Sequence, residues 1–240
     1  MLSKNQIKLI TRLKQKKYRI ADGLFIAEGV KLINELLDSS LELHYLFTTK
    51  SFNSYTKNET IITEAELKKI SFLTTPNKAL AVFKIPTQRH IDSQGLIVVL
   101  DSIRDPGNLG TIIRLCDWFG IKELVCSKNT VDCYNPKVVQ ATMGSITRVN
   151  INYLNLNFFL AEVKTPIYGA FMYGENIYKS ELPKAGIIVL GNEAKGISEA
   201  VEKQVTQRIT IPRFGNLQTT ESLNVATATA ILLSEFRRNS

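Results

Sequence analysis

The chain has 240 residues, 44% hydrophobic and 22% charged, the ordinary balance of a soluble globular protein with one large or two small domains. No apolar run approaches the roughly 20 residues of a membrane helix, and the basic, amphipathic start "MLSKNQIKLI" lacks the apolar core of a secretory signal, so a cytoplasmic protein with no membrane partner is expected. The net charge of +8 is concentrated early, with 15 Lys and Arg against 8 Asp and Glu in residues 1–90.

Residues 3–17 place Ile7, Ile10 and Leu13 at helical spacing. Seven cations and no acid lie in residues 1–19: Lys4, Lys8, Arg12, Lys14, Lys16, Lys17 and Arg19. That segment has the footprint of a polyanion binder, nucleic acid before membrane, with a solvated helix face as the bland alternative. "FIAEGVKLINELL" predicts a second helix over Glu28–Leu37, and "LHYLFTT" a strand over 43–49. "TEAELKKI" (63–70) predicts a short helix with Thr63 as N-cap and Glu66 at capping-box spacing. "KALAVFKIP" (78–86) reads as a strand, and the polar, turn-rich "TQRHIDSQG" (87–95) as the linker between two domains.

After the linker the chain alternates. "LIVVL" (96–100) is a short apolar run of the buried parallel kind, followed by a helix over 109–119 and a strand over 122–127. "NPKVVQATMG" (135–144) predicts a helix with Asn135 as N-cap and Pro136 at its first position. Strands follow at 147–151, 166–173, 186–191 and 207–212, with helices at 157–163 and 224–238. Repeated β-α units predict an α/β domain with a mostly parallel sheet. The cysteines, Cys116, Cys126 and Cys133, lack C-x-x-C spacing, which argues for reduced buried thiols rather than a metal site or disulfides.

Ligands of such sheets bind at the carboxyl ends of strands, and three junctions there carry chemical residues. In "DPGNLGTIIR" (105–114), Asn108 could cap the helix and Gly110 could allow helix–strand contact. Those roles leave Arg114 unexplained, one turn after Gly110, with room to fold toward the strand ends. In "VLGNEAKGIS" (189–198), Gly191 and Gly196 permit close backbone approach around an amide and Glu193; a polar turn with a solvated Glu is the alternative. In "IPRFGNLQTTESLNVATA" (211–228), Ser222 or Asn224 could cap the last helix with "TTES" as a capping region, and Arg213 adds a cation.

Taken together, N-x-G-x-x-x-R, V-L-G-N-E-x-x-G and I-P with S-L-N-V-A, each after a strand, resemble the SpoU (TrmH-like) branch of the SPOUT RNA 2′-O-ribose methyltransferases. "ATMGSITRVNI" resembles that family's segment between its first two motifs. "LKQKKYRIADGLFIAEGVKLINELL" resembles the start of its L30e-like substrate-binding domain. The resemblance implies an α/β fold in which an L30e-like domain (1–88) precedes a SPOUT domain (93–240) whose C-terminal part is threaded into a deep trefoil knot. It also implies S-adenosylmethionine as cofactor, no metal, a homodimer, and an RNA partner, rRNA ahead of tRNA.

By the same resemblance, Leu190, Gly191, Gly196, Ile211 and Leu223 contact the cofactor, largely through backbone groups. Arg114 is the essential residue, as the family's proposed general base or as an electrostatic clamp on phosphate and alkoxide, and Asn108, Glu193, Ser222 and Asn224 position ribose, phosphate and Arg114, with Glu193 able to orient a guanidinium. Lys4, Arg12, Lys16, Lys17 and Arg19 are expected to hold RNA phosphates. The rival expectations are a tRNA 2′-O-methyltransferase, a base-nitrogen methyltransferase and a non-catalytic RNA-binding assembly factor.

Overall fold

The structure, a computed structural model, describes residues 1–51, 59–215 and 222–238. By packing it divides into two units, Met1–Thr87 with Asp132–Thr147, and Gln88–Val131 with Arg148–Ser240.

In the first unit, α1 (Lys4–Arg12) opens on a capping box: Ser3 accepts from the Gln6 N–H and the Gln6 side chain accepts from the Ser3 N–H. The helix expected over 3–17 is broken. Leu13 is fully buried, and the Leu13 and Lys14 carbonyls accept from Arg19 at 2.7 and 2.9 Å, so acceptors that a longer helix would use are satisfied from outside. A second helix, α2 (Lys16–Asp22), then ends on Gly23 at φ +64°. The helix expected from Glu28 also starts later. Leu24–Glu28 is strand β1, buried along its length, and α3 (Val30–Leu37) follows Gly29, which sits at φ +95°. A five-residue buried run carries no periodicity to separate strand from helix.

Strands β2 (Leu43–Thr48) and β3 (Glu59–Ile61), helix α4 (Glu64–Ile70) and strand β4 (Ala79–Lys84) follow. They make a sheet of order β1-β4-β2-β3. The Thr63–Glu66 capping box forms as predicted. Ile10, Leu13, Ile26, Phe47, Leu67 and Val82 share one core.

The second unit starts with β5 (Leu96–Leu100), α5 (Pro106–Trp118) and β6 (Glu123–Ser127). The chain then lends α6 (Pro136–Thr142), capped by Asn135 as predicted, to the first unit. Instead of a strand from 147, a 3-10 turn occupies Ser145–Thr147 and β7 spans Asn150–Leu154. The elements α7 (Leu156–Glu162), β8 (Ile167–Asn176), β9 (Gly186–Leu190), α8 (Glu199–Glu202), β10 (Gln207–Thr210) and α9 (Val225–Arg237) complete it. The one-turn α8 is too short to show a period.

Its six strands are all parallel, in the order β10-β8-β9-β5-β6-β7. From β5 the chain builds outward through β6 and β7, then restarts beyond the other edge and lays β9 directly against β5. Chain direction across the sheet therefore reverses between β5 and β9, and the crevice outside that pair is where such sheets bind ligands. Strand β5 and β9 are buried throughout, consistent with helices over both faces.

Candidate functional site at the carboxyl ends of the central strands

Two loops leave the sheet at the reversal. The first runs from β5 to α5. Asp101, 4% exposed, takes the Ser102 hydroxyl at 3.0 Å and the Ser198 N–H at 2.8 Å. Ser102 sits at φ +62°, and its N–H donates to Ser127 Oγ at 2.8 Å. Helix α5 then begins three residues earlier than predicted, because Asp105, not Asn108, is its N-cap: the Asp105 side chain accepts the Asn108 N–H at 2.8 Å and Pro106 fills the first turn. The Asn108 side chain is thereby released from capping.

The second loop follows β9 and folds back on itself. Asn192 and Gly196 exchange backbone hydrogen bonds of 2.9 and 2.8 Å. Asn192 Oδ1 accepts from the Ala194 and Lys195 N–H groups, and its Nδ2 donates to the Ser102 carbonyl at 2.8 Å, tying this loop to the first. Gly196 lies at φ +70°. A Cβ on Gly191 would stand 2.2 Å from the backbone of Gly196 and Ile197, so only glycine lets the loop pass this close to the strand end.

A third segment, the N-terminus of α9, completes the arrangement. Asn224 is the N-cap, its Oδ1 accepting from the Ala226 and Thr227 N–H groups at 2.9 and 3.2 Å. That choice of oxygen turns its Nδ2 outward, toward Asn108 Oδ1 at 2.9 Å. The Asn108 Nδ2 in turn donates to Glu193 Oε1 at 2.7 Å. Each amide has one acceptor and one donor end, so the helix N–H groups fix the direction of the whole chain, Asn224 to Asn108 to Glu193. Three expected positioning residues, from the first turn of α5, the loop after β9 and the cap of α9, thus meet in one hydrogen-bonded line.

Beside that line lies a cleft of about 1080 Å³. Leu190, Gly191, Gly196, Ile211 and Leu223 all line it, together with Glu193 and Ser222. Apolar side chains of Ile197, Ile209, Val225 and Leu232 form walls between turns of exposed backbone, the mix of surfaces that holds a nucleoside-sized ligand. The capping reading of "TTES" falls on residues 219–221, outside the described residues, apart from Ser222.

Two expectations need correction. Within one chain, among the described residues, Glu193 meets no guanidinium; its hydrogen-bond partner is the Asn108 amide. Arg114 gains no partner at the strand ends. It is exposed on α5 and, among the described residues, makes no hydrogen bond or ion pair. Cys116, two residues on, is fully buried, and burial pushes its thiol up, so it offers no thiolate.

The basic N-terminal set also divides. Lys4, Lys16 and Lys17 are exposed, with Lys17 Nζ 4.8 Å from the Tyr18 ring centre. Arg12 is partly buried and paired with Asp22 at 2.6 Å. Arg19 is corrected outright: it gives Nε and Nη2 to Asp132 and Nη1 to two carbonyls, and at 2% exposure its head is closed to a phosphate. Residues that sequence reasoning missed are Asp101, Ser102 and Asn192, which hold the two loops together. Asn192 lay inside the "GNEAKG" motif; a carboxylate ending the apolar run was the only signal for Asp101.

Among the described residues no helix is long and apolar enough to cross a membrane. Residues 95–234 match the SpoU rRNA Methylase family, and residues 4–81 the MRM3-like substrate binding domain. A relative from Bacillus subtilis, named 23S rRNA (guanosine(2553)-2′-O)-methyltransferase RlmP, is 28% identical, spanning 98% of this chain and 97% of its own. A TrmH-family structure from Porphyromonas gingivalis is 41% identical with a TM-score of 0.92, covering 100% of both chains. An AdoMet-bound rRNA methyltransferase structure from Sinorhizobium meliloti is 27% identical with a TM-score of 0.87, covering 99% of this chain and 96% of that one.

Proposed function

Since the chain belongs to the SpoU rRNA Methylase family, we propose that it transfers a methyl group from S-adenosylmethionine to a ribose 2′-hydroxyl of 23S rRNA. The observation that carries this reading is the line Asn224–Asn108–Glu193 beside a cleft of about 1080 Å³, ample for the cofactor. The B. subtilis relative, matched over almost its full length, supports rRNA ahead of tRNA.

When bound in the cleft, the cofactor supplies an electrophilic methyl on a sulfonium, which needs no further activation. The remaining tasks belong to the chain. The backbone turns at Gly191, Gly196 and Ile211, with Leu190 and Leu223, hold the cofactor against the apolar walls. The polar line gives a fixed carboxylate at Glu193 and fixed amide groups at Asn108 and Asn224, which position the ribose and its phosphate. Ser222, at the same rim, is a further positioning group. Holding two reactants in line is itself worth about 7–11 kcal/mol of barrier.

Arg114 is the essential cation. An arginine stays protonated at any working pH, so its chemistry favours a clamp on phosphate and on the developing alkoxide over the role of general base, and the 2′-hydroxyl proton passes to water as the methyl arrives. Its exposed helix face also carries Trp118, which is 84% exposed. An uncovered Trp beside an unpartnered Arg supports a homodimer in which this face is shared and Arg114 serves a site completed by a second copy. Strand β9 laid between earlier strands, with Gly191 at a tight backbone crossing, supports a knotted C-terminal part of a domain spanning 93–240. Residues 1–88, with Lys4, Lys16 and Lys17, would hold RNA, and the work would be cytoplasmic.

The test is transfer of a labelled methyl group to 23S rRNA from cells lacking this protein. Wild type should label it in an alkali-resistant linkage, and Arg114→Ala should lower the rate by at least about 100-fold while binding cofactor as before. Label in tRNA instead would move the substrate. No label in any RNA, from a folded and RNA-binding protein, would make it a non-catalytic assembly factor.

A further inference from the structure

One feature of the cleft's mouth serves neither the core nor the polar line. Phe214 lines the cleft and is 82% exposed. Its ring lies 6.4 Å from that of Tyr178, the planes tilted by only 32°. Met172, also lining the cleft, is 42% exposed, and Tyr178 is 37% exposed. Large apolar side chains left in water at one spot mark a contact surface.

The shelf rests on a rigid base. Ile177, fully buried, donates its N–H to the Thr210 carbonyl at 3.0 Å, pinning the Tyr178 turn to the end of β10. Asn176 closes the same turn: its side chain accepts the Tyr178 N–H at 3.0 Å, and its carbonyl accepts from the Lys179 N–H and the Ser180 hydroxyl, both at 2.9 Å. Each aromatic has a cation beside it in the chain, Lys179 after Tyr178 and Arg213 before Phe214. Aromatic faces interleaved with cations suit one kind of ligand: an unpaired nucleic-acid base whose backbone is anionic.

We propose that Tyr178 and Phe214 form a stacking shelf for an unpaired base of the substrate RNA at the mouth of the methyl-transfer cleft. This rests on the RNA methyltransferase reading and adds to it a way of holding the target strand. Because every base has a π-face, the shelf contributes affinity and alignment with little sequence preference. It requires the target nucleotide, or its neighbour, to be unpaired.

The experiment compares wild type with Phe214→Ala, Tyr178→Ala and the conservative Phe214→Tyr. Methyl transfer is measured against unmodified 23S rRNA transcript, with cofactor affinity by calorimetry and oligomeric state by sedimentation. Either alanine variant should raise KM for RNA by about ten-fold, with cofactor affinity and sedimentation unchanged, and Phe214→Tyr should restore it. An unchanged RNA KM would overturn the shelf. A weakened cofactor affinity would make Phe214 a wall of the cofactor site, and a changed sedimentation would make the pair a subunit contact; each overturns the proposal.

If wild type transfers no methyl group, the proposed activity fails separately. Filter binding of a mixed-sequence single-stranded RNA of about 12 nucleotides then decides the shelf, a loss of affinity in the alanine variants supporting it and equal affinity overturning it.

Discussion

Asn108 accepts from Asn224 and donates to Glu193, so replacing one nitrogen by oxygen reverses half of its role. In Asn108→Asp a carboxylate faces Glu193 where a donor stood at 2.7 Å. The pair then ionises twice only at a cost, and a shared proton relieves it. Methyl transfer by Asn108→Asp should fall about ten-fold or more at neutral pH and recover partly as pH is lowered into the carboxylate range. Asn108→Ala should lose activity without that recovery; a pH–rate profile separates the two. Glu28 is a different kind of carboxyl. It is 4% exposed and accepts from the Ser71 hydroxyl and the Phe72 N–H, yet burial outweighs these bonds and raises its pKa. A carboxyl raised in the folded state binds a proton there more readily than in the unfolded chain. Its contribution is complete below the unfolded pKa and is lost as pH rises through the folded one. Glu28→Gln can keep both hydrogen bonds, so its melting temperature relative to wild type should climb between pH 4 and 7; parallel curves would overturn this.

At the scale of elements, the β9 loop and α5 carry the geometry. Gly191→Ala places a Cβ 2.2 Å from backbone, which cannot give way as a flexible side chain can. It should destabilise by at least about 1–3 kcal/mol and loosen the cleft, read as a lower melting temperature and weaker cofactor binding. The start of α5 was misread by three residues because two candidate caps, Asp105 and Asn108, stand one turn apart in sequence. Sequence pattern cannot say which of them folds back on the helix. The helix expected over Glu28–Leu37 leaves the residues before it without an element, and β1 takes them, because five consecutive buried residues show neither period. Where a cap was unambiguous, at Thr63 and Asn135, and where β-α units repeat, from the strand at 96, the elements stand where the residues placed them.

Across the whole molecule the N-terminal cations have two destinies. Arg19 welds α1, α2 and the segment from Asp132 inside one unit, so Arg19→Ala leaves Asp132 without its buried partner and should cost about 3–5 kcal/mol. Lys4→Glu with Lys17→Glu should leave stability within about 0.5 kcal/mol. It should make the log–log dependence of RNA affinity on salt shallower by about 1 per lysine, measured by filter binding across salt concentrations. Equal stability losses in the two sets would overturn the division.

What the sequence determined by itself was whatever is local. The order of strands and helices, the parallel sheet, the three loaded junctions and most of their polar residues follow from apolar period, capping chemistry and glycine placement within windows of a few residues. Only the tertiary structure decided how those junctions meet. The hydrogen bonds joining Asn108 to Glu193 and to Asn224 span 85 and 116 residues. The first exists because β9 inserts next to β5 and the second because α9 packs against α5, choices made by the packing of whole elements. The same holds for Arg19, identical in sequence terms to its exposed neighbours and separated from them only by the burial that Asp132, 113 residues away, makes affordable.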